Sequence, residues 1–324
     1  MPGPTRRLML GAGAALALPR LARAQAPWPA RPIRLINPWT PGGPADVVAR
    51  PVAQRLSESL GQPVVMENRP GANGTIGAAA VARAAPDGYT LFFSHVGPIA
   101  ISPNFSSSVP FDPVRDFAPI TQLVSGPIVL VVRPDVPANN VTELLALARA
   151  QPGALSYGSV GPASTTHLAG EMLAMMGGVQ LLHVPYQGAA PVVTDLLGGR
   201  LHFAFINFAG AVAQMQAGTL RAIAVSTERR SSGLPNLPTV AETLPGFEVN
   251  SWYGVMAPAS TPAAIVDRLH RDIAAALHAP DLTATLRAQG FDIEATTPAQ
   301  YAAKIASDLQ RWGELARATG IKVG

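Results

Sequence analysis

Two loops in this chain carry the residue types that could hold an anion. The segment PGGPAD occupies residues 41–46, and the segment GSVGPASTTH occupies residues 158–167. Each follows a short apolar segment of strand length and opens a segment with helical periodicity. Such loops direct backbone N–H groups and the positive end of a helix dipole into one space, which suits an anionic group. Two of them predict a clamp on one ligand.

Each loop has the composition that this interpretation needs. The first combines a tight turn, a proline for the first helical turn and an acid at the N3 position, supplied by Gly42, Gly43, Pro44 and Asp46. The second combines close backbone approach with hydroxyls at a helix start, supplied by Gly158, Gly161, Ser164, Thr165 and Thr166. One of these hydroxyls is expected to be only the N-cap. An ordinary strand-to-helix turn is the alternative for the first loop.

Other motifs support cofactor binding or catalysis more weakly than the two loops support anion binding. Residues 71–77 read GANGTIG, whose GxxGxxG spacing lacks the turn of a dinucleotide fingerprint. The histidines have no metal-ligand spacing, and neither a metal nor a cofactor is expected. The run Tyr157-Gly-Ser159-Val-Gly161 is a near miss to a nucleophile elbow. A serine esterase is therefore the alternative function, with His95 or His167 as its base, whereas His183 and His202 are expected at strand ends or on the surface.

The elements that must position these loops alternate along the chain. Apolar runs of strand length are separated by helix-period segments, which predicts an α/β fold. Strands are expected at 32–38, 63–67, 90–94, 127–133, 155–159, 180–184, 201–206, 219–225 and 248–256. Helices are expected near 45–60, 74–85, 141–151, 165–177, 189–198, 209–217, 262–278 and 298–317. Capping patterns are expected at Asn140 with Glu143, at Thr261-Pro262, and at Thr297 with Gln300.

Two proline-rich interruptions suggest how the chain is divided. They lie at residues 103–127 and 227–247, and two interruptions suggest two crossings between lobes. A chain of 324 residues is long for one core, so two domains are expected. The predicted first lobe is discontinuous, with residues 25–126 and 245–324, and the second lobe comprises residues 127–244. The cleft would then lie between the two loops.

The amino terminus is typical of an export signal. Arg6 and Arg7 precede an apolar run at 8–18, and Ala22-Arg-Ala24 fits a small-x-small cleavage site. The run is too short to cross a bilayer, for which about 20 residues are needed. Cleavage near Ala24 and a periplasmic location are therefore predicted, by a Tat or a Sec route.

Charge and cysteine content exclude several function classes. The formal charge of +4 falls to zero without residues 1–24, because that segment holds four arginines and no acid. No basic stripe with interleaved aromatics remains for nucleic acid. The chain has no cysteine, which excludes thiolate metal sites, cysteine nucleophiles and disulfides.

A family resemblance extends over residues 28–324. It is carried by the export signal and, in order, by WPARPIRLINPWTPGGPAD, VVMENRPGANGTIGA, ARAAPDGYTLFF, GSVGPASTTHLAGEM, HVPYQGAAPVVTDLLGGRLHFAF, AGTLRAIAVSTERRSSGLPNLPTVAE and WYGVMAPASTP. This set resembles the tripartite tricarboxylate transporter substrate-binding receptors, also called Bug proteins. The resemblance implies a two-lobed, type II-like periplasmic binding protein fold without catalysis. It also implies a monomer that captures a small organic carboxylate and delivers it to a membrane permease.

The resemblance also implies which residues contact the ligand. In the first lobe they are Thr40, Gly42, Gly43, Ala45, Asp46, Ser94 and His95. In the second lobe they are Gly158, Ser159, Ser164, Thr165, Thr166 and His167, with Tyr186, Gln187 and Asn207 lining the pocket.

The chain departs from the family pattern at two positions. Ile206 precedes Asn207 where many relatives carry an acid, and Gln187 stands where lysine is frequent. An isoleucine cannot pair with a ligand ammonium, so the ligand is expected to lack a positive charge. The alternative is that Ile206 packs in the sheet and does not meet the ligand.

Overall fold

A computed structural model describes residues 28–231 and 233–320. The predicted export signal, residues 1–24, lies outside the described residues. The strands are β1 Ile33–Asn37, β2 Val64–Asn68, β3 Thr90–His95, β4 Phe117–Val132, β5 Ser156–Ser159, β6 Leu182–Pro185, β7 Phe203–Asn207, β8 Arg221–Val225, β9 Asn250–Pro258 and β10 Asp292–Ile293. The helices are α1 Pro44–Leu60, α2 Thr75–Ala82, α3 Ser102–Phe105, α4 Val141–Ala150, α5 Thr165–Gly177, α6 Ala189–Leu197, α7 Phe208–Gln216, α8 Ala263–Leu277, α9 Pro280–Ala288 and α10 Pro298–Thr319. The predicted α/β class is confirmed.

The strands form one sheet with two differently paired ends. Its order is β2-β1-β3-β9-β4-β7-β5-β6, and both β8 and β10 also pair with β4. The amino-terminal part of β4 pairs with β9, whereas its last five residues pair with β7 and its last four also pair with β8. We call the β2-β1-β3-β9-β10 side the first half-sheet and the β7-β5-β6-β8 side the second half-sheet. Strand β4 belongs to both.

The long β4 strand corrects one expectation. The prolines at 103–127 suggested an interruption, but residues 117–127 continue the sheet. Proline lacks a ladder donor, and the pairing of β4 with β9 shifts register just after Pro119. The irregularity absorbs the proline without ending the strand.

Parallel pairing places both candidate loops at carboxyl ends of strands. Strand β1 pairs parallel with β2 and β3, and β5 pairs parallel with β6 and β7. The first loop joins β1 to α1, and the second loop joins β5 to α5. Carboxyl ends of parallel strands are where ligands bind in α/β sheets.

The apolar core is continuous between the two half-sheets. One buried cluster includes Ile36 and Phe92 of the first half-sheet together with Phe203 and Phe205 of the second, and Leu130 of β4 also belongs to it. Two further clusters cover the opposite faces, one under α1, α8 and α9 and one under α6 and α7. Burial of each such side chain contributes about 1.5–3 kcal/mol. Among the described residues, no helix is both long and apolar enough to cross a membrane.

Helix caps follow the sequence signals in two of three places. Thr297 and Gln300 form a full capping box at α10, and Asn140 accepts from the Glu143 N–H at α4. The expectation at Thr261 is wrong, because its hydroxyl donates to the Pro258 carbonyl over 2.7 Å and α8 begins after Pro262 without a side-chain cap.

Candidate ligand-binding site

Asp46 shapes the first loop from within. Its carboxylate accepts from the Gly42 N–H at 2.9 Å and from Asn37 Nδ2 at 3.0 Å, and it forms an ion pair with Arg50 at 2.9 Å. The Asp46 side chain is buried, while Arg50 is exposed. Asp46 therefore fixes the turn, and the Gly42 amide is already engaged by it.

Two other amides of the first loop remain unpaired. Gly43 is the N-cap of α1 without a side-chain cap bond, and Pro44 has no N–H. The Asp46 N–H bonds back to the Gly43 carbonyl at 3.0 Å. The N–H groups of Gly43 and Ala45 have no acceptor within the described residues. They lie at the positive end of α1, where an anion is favoured, and Thr40 is exposed just before them.

Ser94 and His95, at the end of β3, are buried and have hydrogen-bond partners within the protein. The Ser94 hydroxyl is 2.7 Å from the Tyr301 Oη, and both side chains are buried. His95 Nδ1 accepts from the Gly97 N–H, which leaves Nε2 to donate to Ser251 Oγ at 2.9 Å. Burial lowers the pKa of His95 to about 3, so the ring is neutral at neutral pH. A ligand contact at these two residues stays a prediction.

The second loop is held by a network of its own side chains. Ser164 is the N-cap of α5 and accepts from the His167 N–H. Thr166 Oγ1 accepts from the Val160 N–H at 3.0 Å and lies 3.0 Å from Ser164 Oγ. The Ala163 N–H donates to His167 Nδ1 at 3.1 Å. These hydroxyls and this imidazole therefore stabilise the loop itself.

Thr165 differs from its neighbours. Its side chain is buried, yet its hydroxyl has no hydrogen-bond partner within residues 28–231 and 233–320. The N–H groups of Thr165 and Thr166 are the first two of α5 and have no acceptor in the same part of the chain. The loop thus presents one hydroxyl and two amides at a helix start. Gly158 has a packing role, because a Cβ there would lie 2.6 Å from Leu201.

Ser159 has a histidine partner, but not an expected one. Its Oγ is 2.6 Å from His183 Nε2, and His183 stacks on His167 with ring centroids 4.0 Å apart. The sequence suggested His95 or His167 as the base and a strand-end or surface position for His183. Ser159 is completely buried, and burial lowers the pKa of His183 to about 4. Ser159 is therefore enclosed within the second half-sheet, whereas His183 is half-buried.

The remaining predicted pocket residues have mixed surroundings. Tyr186 donates to Asp195 at 2.7 Å, and its burial raises its pKa to about 12. Gln187 is exposed, and Asn207 is the N-cap of α7 without a side-chain cap bond. Ile206 is buried in the apolar cluster under α6 and α7. The alternative interpretation of Ile206, packing in the sheet, is the one that the structure favours.

Two close approaches link elements of the first half-sheet to elements of the second. A Cβ built on Gly210 in α7 would lie 3.5 Å from Pro44 Cγ in the first loop. Asn73, which follows β2, donates from Nδ2 to the Ala163 carbonyl of the second loop at 2.9 Å. No sequence signal selected Asn73 for a functional role, because its flanking glycines indicate only a turn. The described residues contain no cluster of three or more His, Asp or Glu that could hold a metal ion.

The family model described as the tripartite tricarboxylate transporter family receptor matches residues 48–321. The chain belongs to this family. The family and its structural neighbours are periplasmic substrate-binding receptors rather than enzymes, so the serine esterase alternative is not retained for this receptor.

Named relatives are similar to the receptor in sequence and structure over most of its length. It is 38% identical over 298 residues to protein BugT of Bordetella pertussis, which covers 91% of each chain. An R. palustris protein solved with adipate is 37% identical with a TM-score of 0.87, covering 91% of the receptor and 99% of that chain. MatC from Rhodopseudomonas palustris with bound malate is 30% identical with a TM-score of 0.82, covering 88% and 99%. The two-lobed periplasmic binding protein fold is confirmed.

Proposed function

We propose that the receptor captures a small organic carboxylate between two lobes that close on it. The first lobe comprises residues 25–126 and 245–324, and the second comprises residues 127–244. The observation that carries the proposal is the pair of donor sets at the starts of α1 and α5 that have no acceptor among the described residues, in loops on opposite half-sheets. Amides and hydroxyls that lack protein partners suit carboxylate oxygens.

Charge within the site also supports a carboxylate. Arg50 in α1 is paired with Asp46 of the first loop, so a ligand charge would be balanced by helix dipoles and hydrogen bonds. Hydrogen bonds to a charged group contribute about 1.5–3 kcal/mol each, and three or four would support micromolar binding after ordering costs. Similar structures with adipate and malate support plain carboxylates as ligands.

We expect the ligand to lack an ammonium group, and this expectation rests on Asp46 instead of Ile206. Asp46, the buried carboxylate of the first loop, is engaged by Arg50 and by the Gly42 amide. A ligand cation would therefore meet the positive ends of helices without a free carboxylate. Mono- and dicarboxylates are favoured over amino acids.

Calorimetry with adipate, malate, benzoate and aspartate tests the ligand class. We expect stoichiometric binding of at least one plain carboxylate, recovered chemically intact, and much weaker binding of aspartate. Tight binding of aspartate, with no measurable affinity for the plain acids, would refute the proposed ligand class. Failure of every acid to bind or to raise the melting temperature would refute carboxylate capture altogether.

Transport and export complete the proposal. The receptor is proposed to act as a monomer that delivers its ligand to the membrane permease of a tripartite tricarboxylate-type transporter. Export by the Tat or Sec route should leave a mature protein beginning near Gln25 in the periplasm. Mass spectrometry of a periplasmic extract identifies this terminus. A membrane-bound protein that retains residues 1–24 would contradict the predicted cleavage.

A further inference from the structure

The cleft is bridged at its rim by one side-chain amide. Asn73 Nδ2 donates to the Ala163 carbonyl at 2.9 Å and also to Ser102 Oγ at 3.1 Å. Ser102 belongs to the first half-sheet side of the chain, and Ala163 belongs to the second loop. The chain itself crosses between the halves near the start of β9, where the Val249 N–H donates to the Ser226 carbonyl at 2.8 Å. The Asn73 bond is instead at the loops, where closure has to be completed.

The backbone around Asn73 is held in an unusual conformation. Residues 71–74 all have positive φ, with 123° at Gly71, 46° at Ala72, 52° at Asn73 and 87° at Gly74. A left-handed conformation is unfavourable for Ala72 and is tolerated by asparagine. The segment persists because it is bonded internally, with the Gly74 N–H donating to the Gly71 carbonyl at 2.9 Å. The strained turn fixes the direction of the Asn73 side chain.

The Asn73 amide also packs closely against residues of its own half. A Cβ built on Gly97 would lie 3.2 Å from both terminal atoms of the Asn73 amide, and Gly97 is itself bonded to His95 Nδ1. Together with the bond to Ser102, this packing against Gly97 orients the amide without any contribution from the second half-sheet. Asn73 is therefore positioned before the lobes meet.

The acceptor belongs to the segment that carries the proposed ligand donors. Ala163 also has a left-handed backbone, with φ of 52°, and directly precedes the N-cap Ser164 and the amides of Thr165 and Thr166, which have no acceptor in the described part of the chain. Anything that holds the Ala163 carbonyl against the first half-sheet also holds those amides over the cleft. Ligand contacts and the Asn73 bond would thus favour the same closed state.

We propose that Asn73 is a clasp that forms on closure and slows ligand release, which makes it a positioning residue and not a ligand contact. This inference rests on the proposed function. One neutral hydrogen bond gained on closure should change affinity by about 3- to 10-fold, or roughly 0.6–1.4 kcal/mol. The change should fall on the dissociation rate, because encounter with an open cleft does not need the clasp.

Stopped-flow kinetics on two variants test the clasp, with adipate and malate as probes. Asn73→Gly removes the amide and keeps the left-handed backbone accessible, and Asn73→Asp keeps the size but cannot donate. Both should release ligand about 3- to 10-fold faster, with little change in association rate. The melting temperature of the ligand-free protein should fall at most by the small amount caused by losing the bond from Asn73 to Ser102, because the bond to Ala163 forms on closure.

Asn104→Ala is the matched control. Asn104 donates to the carbonyls of Ala100 and Leu309, both on the first half-sheet side. This control should lower the melting temperature and leave the dissociation rate unchanged. Parental dissociation rates in both Asn73 variants, or a loss of affinity that falls on the association rate instead, would overturn the clasp alone. A parent that binds no carboxylate would overturn the proposed function as well.

Discussion

Thr165→Val should weaken ligand binding without weakening the fold. Valine has nearly the same shape, and the Thr165 hydroxyl makes no hydrogen bond to any other described residue, so the folded protein loses no internal bond. If this hydroxyl donates to a ligand carboxylate, its removal should cost about 1.5–3 kcal/mol of binding free energy. That corresponds to a dissociation constant raised about 10- to 150-fold.

The adjacent threonine provides the control. Thr166 Oγ1 accepts from the Val160 N–H and lies beside Ser164 Oγ, so Thr166→Val leaves a partly buried donor without an acceptor. We expect this variant to lose about 1–3 kcal/mol of unfolding free energy. Two isosteric substitutions at neighbouring positions should therefore separate binding from stability.

Calorimetry with adipate and malate measures affinity, and denaturant unfolding of the ligand-free proteins measures stability. The reasoning is refuted if Thr165→Val binds like the parent. It is also refuted if Thr165→Val loses as much unfolding free energy as Thr166→Val, because the hydroxyl would then be structural.

Three further results are expected. Asp46→Ala should lower the unfolding free energy by about 1–3 kcal/mol and abolish carboxylate binding, since the Gly42 amide loses its acceptor; denaturant melts and calorimetry measure both, and parental affinity would contradict the role of Asp46 in the loop. The pKa of His95 is about 3 in the folded protein against an ordinary value of 6.5, so the unfolded state binds more protons between these values and stability is lost as pH falls from 6.5. The slope is up to about 1.4 kcal/mol per pH unit, and His95→Asn should flatten it between pH 6.5 and about 5.5; an unchanged slope in urea melts would contradict this. Gly170→Ala should destabilise the fold by about 1–3 kcal/mol because the added Cβ meets the Tyr157 ring, and thermal unfolding at or above the parental temperature would disprove the contact.

Regular elements were predictable because their signals are local. Helix α5 was expected at 165–177 and spans Thr165–Gly177, and α1 was expected at 45–60 and spans Pro44–Leu60. Apolar periodicity, a proline in the first turn and glycine after the last turn all act within a few residues. Strand β4 was half missed because its prolines suggest a break, while its pairing with β9 depends on residues far away in the chain.

The sequence predicted which two segments form the candidate site, but not the role of each side chain within them. The sequence identified both loops, but it could not distinguish Thr165, whose hydroxyl is unpaired among the described residues, from Thr166, whose hydroxyl supports the loop. Nor could it show that Ile206 packs in an apolar cluster or that Ser159 pairs with His183. These roles depend on which partner each polar atom meets after folding.

By itself, the sequence determined the α/β class, the family pattern and the two strand-to-helix loops, because periodicity, glycine and proline act over short stretches of chain. Only the tertiary structure decided which donors remain unpaired at those loops and that Asn73 reaches the Ala163 carbonyl, 90 residues further along the chain. Hydrogen bonds extend only about 3 Å, so the distribution of donors between scaffold and ligand is fixed by contacts that form after distant segments have packed together.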